Sequence, residues 1–229
     1  MILYAIATPL GGEARDALPA PALEIVRSLR DFAVENAKSA RAFLAGVGMP
    51  CPLRDLNIAP LGGDADASLI ALKEGRSLGL LSEAGCPAIA DPGAALVEAA
   101  HGAGFRVVPL IGPSSILLAL MASGLEGQRF AFCGYLPRDG AERAERIRQL
   151  ERRSRQERET QIFIETPYRS DALLQALLES CDAQTRVCVA ADLTLPGESI
   201  SSRTVAAWRR QRSGIGRRPA VFLLLAQPR

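Results

Sequence analysis

Three short apolar runs in the first half of the chain, Ile2–Ala7, Leu78–Leu81 and Phe105–Ile111, each lead into a loop of glycine, proline and small polar residues. Continuous apolar character without alternation marks strands buried on both faces, as in a parallel sheet. Between the runs, Leu23, Val26, Leu29 and Phe32 recur at helical spacing. Ala40, Phe43, Leu44 and Val47 mark a second helix, Leu69, Ile70 and Leu72 a third, and Ala94–Ala103 a fourth. Strands separated by helices predict a mostly parallel sheet with helices on its faces.

Gly112-Pro113-Ser114-Ser115 stops the third strand and caps a helix whose apolar face is read as Ile116, Leu117, Leu120 and Met121. A domain boundary is expected here, giving an N-terminal α/β domain over 1–112 and a C-terminal α/β domain over 113–229. In the second half, Phe130–Tyr135, Gln161–Glu165, Arg186–Asp192 and Ala220–Ala226 read as strands, and Leu173, Leu174, Leu177 and Leu178 as the face of a helix.

Composition excludes more than it selects. No run reaches the roughly 18 apolar residues of a membrane span, and the N-terminus reads as a strand rather than a signal peptide, so cytoplasmic residence is the expectation. The five cysteines are scattered without a CxxC pair, which argues against disulfides and against a zinc site. The single histidine, His101, lies in an alanine-rich helix and reads as a surface or packing residue. Arg138–Glu159 holds eight arginines and six acids, the pattern of a solvated, ion-paired helix. Arg203–Arg218 carries six arginines with no acid, and reads as a basic edge able to meet phosphates.

The three strand-tip loops are Thr8–Gly12, Ser82–Gly93 and Ile111–Ser115. Open α/β sheets bind ligands at this end. None contains GxxxxGK[ST] or GxGxxG, which weakens nucleotide and dinucleotide readings. A cofactor held by backbone and apolar contacts fits better, and S-adenosylmethionine is such a cofactor. Its methyl is already activated, so the protein need mainly align the acceptor and exclude water, and alignment contributes about 7–11 kcal/mol in favourable cases.

Ser82–Gly93 (SEAGCPAIADPG) and Val107–Leu125 (VVPLIGPSSILLALMASGL) resemble the tetrapyrrole methylase superfamily. The branch resembled is the one containing the cytidine 2′-O-methyltransferase of small-subunit ribosomal RNA. The opening LYAIATPLGG, Phe132–Arg138 (FCGYLPR), Phe163–Arg169 (FIETPYR) and Pro219–Leu225 match further, in family order and over nearly the whole chain.

The resemblance implies two α/β domains with an S-adenosylmethionine cleft between them, and a homodimer; no aspartate or histidine cluster has metal spacing, so no metal is expected. It implies cofactor contacts from Pro9, Leu10, Glu83, Gly85, Cys86, Ser114 and Ser115. In the C-terminal half the implied contacts are Phe163, Ile164, Pro219, Ala220 and Val221. Departures are Glu83 and Cys86 where the ribosomal enzymes have aspartate and threonine, Gly11-Gly12 for Gly-Asn, and Glu35-Asn36-Ala37-Lys38 for Glu-Asp-Thr-Arg. The matches stop at the last predicted strand, short of a further C-terminal segment in the ribosomal enzymes.

Methyl transfer to an RNA ribose hydroxyl needs a group near the departing proton. The candidates are Glu35 and Lys38, three apart and so able to share a helix face, and Glu165 at a strand end. Arg41, Tyr168 and Arg169 are candidates for positioning a phosphate or base. Two other readings stay open at this level: the same fold acting on a small molecule such as a tetrapyrrole, and an inactive paralogue that binds the cofactor without turnover.

Overall fold

The computed structural model describes residues 1–62, 68–211 and 214–228. The chain forms two compact units, Met1–Ser114 and Ser115–Arg229. In the first, β1 (Ile2–Ile6), β2 (Asp31–Val34), β3 (Asn57–Pro60), β4 (Leu78–Leu81) and β5 (Arg106–Pro109) form a sheet in the order β3-β2-β4-β1-β5. Every pairing in it is parallel.

Side-chain alternation feeds two cores. Leu3, Ala33, Leu78 and Leu80 share one core with Leu72 of α4 (Ile70–Lys73) and with Leu96 and Ala100 of α5 (Ala94–Gly102). Ile6, Phe32, Val34 and Leu81 join the other, built with α1 (Ala14–Ala17), α2 (Ala20–Ser28) and α3 (Ala37–Val47). Gly79 lies under that second core, where a Cβ would stand 2.7 Å from Phe32 Cδ1 and 2.8 Å from Ile6 Cδ1. Glycine is required at this site by volume.

Two expectations for this half are corrected, and one strand is new. Phe32 does not extend the α2 pattern, because α2 ends at Ser28 and Phe32 sits in a strand whose four residues are all buried. The edge strand β3 shows no apolar signal, because three of its four residues are exposed. The run Phe105–Ile111 supplies the other edge, β5, which is half exposed rather than buried.

In the second unit, β6 (Phe130–Tyr135), β7 (Thr160–Glu165), β8 (Arg186–Ala191), β9 (Ser199–Thr204) and β10 (Ala220–Leu225) follow the order β6-β7-β10-β8-β9. Only β6 and β7 are parallel among the described pairs; the others are antiparallel. The core combines Phe163, Val189 and Phe222 with α7 (Gly140–Glu157), α8 (Ser170–Ser180) and α9 (Val205–Arg210). Trp208 completes it, donating from Nε1 to the Val187 carbonyl at 2.9 Å. The strand β9, with sequence SISSRT, carries no buried residue and no apolar periodicity to announce it.

Helix α6 (Ser115–Ser123) packs on β8, β9 and β10. Its inward stripe is Ile116, Ala119, Leu120 and Ser123, the i, i+3, i+4, i+7 set of one helix face. Leu117 and Met121, expected on that face, are 50% and 80% exposed. The charged helix α7 is ion-paired as its sequence suggests: Glu145 takes both Arg148 and Arg152, and Arg153 pairs with Glu159.

Candidate cofactor-binding site

Strand order alone selects one crevice in the first unit. The connection leaving β2 runs to β3, away from β4, while the connection leaving β4 runs the other way, past β1 to β5. Adjacent parallel strands whose connections diverge leave a gap at their carboxyl ends, where α/β proteins bind ligands. Glu35 at the end of β2 and the loop after β4 flank that gap, and the loop after β1 is bonded to the loop after β4. Thr8 N donates to Gly85 O at 2.8 Å and Gly85 N to Thr8 O at 3.0 Å, a two-bond bridge joining them.

The third loop joins at the same residues. Cys86 Sγ approaches the Pro113 carbonyl at 3.5 Å, within the range of a thiol donor, and burial pushes the thiol above its usual range. A Cβ on Gly85 would stand 3.4 Å from Leu10 Cδ2 and 3.9 Å from Pro113 O. Gly85 therefore sits at the junction of all three loops, in left-handed backbone with φ +75°. Gly112 closes the joint from the other side: its Cβ would lie 2.5 Å from Ala7 Cβ.

The loop after β4 is also conformationally loaded. Besides Gly85 and Gly93, Ala88 and Ala90 hold φ of 65° and 64°. Non-glycine residues in this region cost about 1–3 kcal/mol each and persist only where surrounding structure enforces them. The Ser82 hydroxyl is buried, and its approach to the Asp91 carboxylate falls short of hydrogen-bond geometry. The loop thus holds an incompletely satisfied buried polar atom beside strained backbone.

Three carboxylates set the electrostatics. Glu35 Oε2 accepts from Glu83 N at 2.9 Å, tying the β4 loop to the end of β2. Glu83 Oε1 accepts from Ser39 Oγ at 3.0 Å. Burial raises the Asp91 carboxyl above its usual range, and the neighbouring charges of Glu35 and Glu83 push the same way. A negative field of this kind suits a cationic ligand and opposes a polyphosphate. Alongside lies a cavity of about 450 Å³ lined by Thr8, Pro9, Gly12, Phe43 and Glu83. It falls in the usual range for small-molecule sites.

The structure sorts the candidates named from the sequence. Pro9, Leu10, Glu83, Gly85 and Cys86 are brought together at the crevice, with Ser114 ending the third loop and Ser115 opening α6. Glu35 precedes α3 rather than lying on it, so it shares no helix face with Lys38. Asn36 is the α3 N-cap, its Oδ1 accepting from Lys38 N at 2.9 Å. Lys38 and Arg41 are exposed on the first turns of that helix.

In the second unit, the Phe163 ring is fully buried and stacked on Phe222, 6.1 Å between centroids, which leaves only its backbone able to meet a ligand. Ala220 and Val221 are buried beside it, Ile164 is half-buried and Pro219 is exposed. Glu165 is committed within its own unit: Oε1 accepts from Thr166 N at 2.8 Å, and Oε2 lies 2.8 Å from Arg169 Nη2. That contact lacks hydrogen-bond alignment, so charge attraction in a buried setting holds it. Arg169 is thereby an internal counter-ion. Tyr168 is exposed, with the Arg217 guanidinium 5.4 Å from its ring centre.

Thr8, Ser82, Asp91 and Arg217 were not singled out by sequence reasoning. The signal for the first three was present in the loops themselves, since each stands within a strand-tip segment. Arg217 was one of six arginines with nothing to distinguish it.

Among the described residues no group of His, Cys, Asp or Glu could hold a metal ion, and no helix is long and apolar enough to cross a membrane. Residues 14–207 match the family model described as Tetrapyrrole (Corrin/Porphyrin) Methylases. The chain is 34% identical over 226 residues to Ribosomal RNA small subunit methyltransferase I of Xylella fastidiosa, covering 98% of this chain and 81% of that protein. It is 33% identical over 205 residues to the protein of the same name from Vibrio cholerae, covering 90% and 69%. The crystal structure of the methyltransferase CobJ superposes with a TM-score of 0.63 at 20% identity, over 98% of this chain and 93% of that one. That likeness shows the fold. Loops that converge on a switch-point crevice, a family model spanning most of the chain and relatives at 33–34% identity over at least nine-tenths of this chain agree: this chain belongs to the tetrapyrrole methylases and is a methyltransferase.

Proposed function

We propose that this protein transfers the methyl group of S-adenosylmethionine to a ribose 2′-hydroxyl of small-subunit ribosomal RNA. The observation that carries the cofactor assignment is the junction at Gly85, where three strand-tip loops are bonded together around a carboxylate-rich crevice. The residues present fit the cofactor: the buried Ser82 hydroxyl is not fully satisfied by the Asp91 carboxylate beside it, the backbone at Ala88 and Ala90 is held out of its preferred region, and the charge favours a cation. When bound, the cofactor supplies an electrophilic methyl on a sulfonium, which needs no covalent help from the protein.

The chain's own work is then positioning. Glu35 fixes the loop through Glu83 N and acts as a positioning residue. Lys38 and Arg41 stand exposed where an RNA phosphate could meet them, on the helix whose Phe43 lines the cavity. Glu165, engaged with Thr166 and Arg169, holds its own loop rather than the acceptor's proton. The RNA acceptor is supported by the names of the relatives. A ribosomal substrate implies cytoplasmic residence. A homodimer is supported by the solvent-facing Leu117 and Met121 of α6, and light scattering should return twice the chain mass.

The test is a methyl-transfer assay with labelled S-adenosylmethionine on small-subunit ribosomal RNA, paired with calorimetry of cofactor binding. Label in a 2′-O-methylated nucleoside, and loss of both binding and transfer in Gly85→Trp, are expected. Cofactor binding without transfer to RNA, with label appearing instead in a small-molecule fraction, would move the acceptor. No heat with S-adenosylmethionine or its demethylated product would overturn the assignment.

A further inference from the structure

Among the described residues around the C-terminal basic segment, several arginines are spent on the protein itself. Arg209 donates to the carbonyls of Leu178 and Cys181, and Arg203 to Gln211 Oε1 while lying over Trp208. Arg218 donates to the carbonyls of Ile215 and Gly197 and to Ser199 Oγ. Arg217, between anchored neighbours, is exposed, and among the described residues its guanidinium makes one contact, over the ring of Tyr168. Tyr168 itself is 80% exposed, in a molecule whose other aromatic rings are more covered.

The arrangement is fixed in place from two sides. Tyr168 follows β7 at the turn closed by Arg169 N donating to Thr166 O, and the Arg169–Glu165 ion pair holds that turn. The segment carrying Arg217 is pinned to the start of α8, because Asp171 Oδ1 accepts from Ile215 N at 2.6 Å and from Gly216 N at 3.3 Å. Ile215 is buried in the core. Glu165 and Ala220 are register partners, so both segments emerge from one end of the sheet.

An aromatic ring kept in solvent on an anchored turn, topped by a cation that the fold does not otherwise use, is poorly explained by stability. Exposed cation–π pairs contribute little to folding. It matches what recognises an unpaired nucleotide: an aromatic face and a guanidinium plane for the base, and a fixed charge for the adjoining phosphate. We propose that Tyr168 and Arg217 form a stacking platform for a single-stranded nucleotide of the RNA substrate. The platform rests on the RNA reading above and adds to it that the substrate is engaged unpaired. Arg217, not Arg169, is the cation that meets it.

The experiment measures binding of a mixed-sequence single-stranded RNA oligonucleotide to the full chain, and steady-state methyl transfer to small-subunit ribosomal RNA. The variants are Tyr168→Ala, Tyr168→Phe, Arg217→Ala and Arg217→Lys. Tyr168→Ala should weaken oligonucleotide binding about tenfold, with Tyr168→Phe near wild type, because the ring and not the hydroxyl stacks. Arg217→Ala should weaken it and lower the slope of log affinity against log salt by about 0.7, while Arg217→Lys keeps the slope and loses the stacking share. The KM for RNA should rise with kcat, cofactor affinity and thermal midpoint unchanged, a split that a structural role would not give.

Wild-type protein that binds and methylates RNA while all four variants match it would overturn the platform and leave the function standing. A defect seen only on assembled small subunits, with oligonucleotide binding intact, would assign the pair to a ribosomal-protein contact and equally overturn it. Wild-type protein with neither RNA binding nor transfer would overturn the RNA reading and the platform together.

Discussion

The two sheets of this molecule each have five strands, and they present their ends differently. In the first unit every strand is parallel, so every connection crosses over and the loops after β1, β4 and β5 all open at one edge. Those loops are joined by backbone bonds and a thiol contact, and one of them stores strain at Ala88 and Ala90. In the second unit antiparallel pairing brings the end of β7 and the start of β10 together, and side-chain charge holds what lies there. A parallel sheet yields a crevice by topology. A mixed sheet yields exposed groups only where particular side chains hold them.

The sharpest tests set the second unit's buried groups against a ligand role. Phe163→Ala should cost about 3–5 kcal/mol of unfolding free energy in a denaturant titration, because a fully buried stacked ring is lost. Phe163→Leu should bind S-adenosylmethionine as wild type does; weaker binding at preserved stability would restore the side chain to the cofactor site. Arg169→Ala should cost a comparable amount, about 3–5 kcal/mol, by stranding the Glu165 carboxylate, which is 1% exposed. An unchanged denaturation midpoint would return Arg169 to the list of phosphate contacts.

In the first unit the joint between loops is the point to strain. Gly112→Ala places a methyl 2.5 Å from Ala7 Cβ and 2.7 Å from Leu18 Cδ2. Overpacking of that kind costs about 1–3 kcal/mol, and cofactor affinity should fall with it because Pro113 must shift. Stable protein with full affinity would mean the third loop is not part of the joint.

Asp91 offers a subtler comparison through pH. Its folded carboxyl titrates above its ordinary value of 3.8 because of burial and the charges of Glu35 and Glu83. A raised acid favours the fold when protonated, so its contribution is complete below 3.8 and is lost as pH rises through the folded value. Thermal midpoints of Asp91→Asn should match wild type in acid and exceed it at neutral pH. A constant offset at all pH values would remove Asp91 from the coupled carboxylates. The smallest effect belongs to α7: Arg148→Ala and Arg152→Ala should leave the thermal midpoint unmoved, since exposed pairs to one glutamate contribute almost nothing.

The local code of this sequence determined two strands buried on both faces, β1 and β4 (though not the buried β2), which loops carry glycine and proline, and that α7 is a solvated helix. Each of these is written in nearest neighbours: β1 and β4 as unbroken apolar runs, Gly85 as a position with no side chain, Glu145 one turn from Arg148. The family motifs belong to the same class, because they are the loops themselves. Edge strands escaped, since Asn57–Pro60 and Ser199–Thr204 are paired on one side or partly solvated and need no apolar pattern.

Only the tertiary structure decided the roles of groups far apart in the chain. Glu35 and Glu83 are 48 residues apart and share a hydrogen bond; Arg217 and Tyr168 share a ring contact across 49 positions, and Asp171 holds Ile215 across 44. Arg169, which sequence alone offers to a phosphate, is neutralised from within by Glu165. Met121, which sequence alone buries, faces water because Ile116, Ala119 and Leu120 already fill the inward stripe. Residue type sets what a side chain can do; which partner reaches it first, in a fold closed by strands distant in sequence, settles what it does.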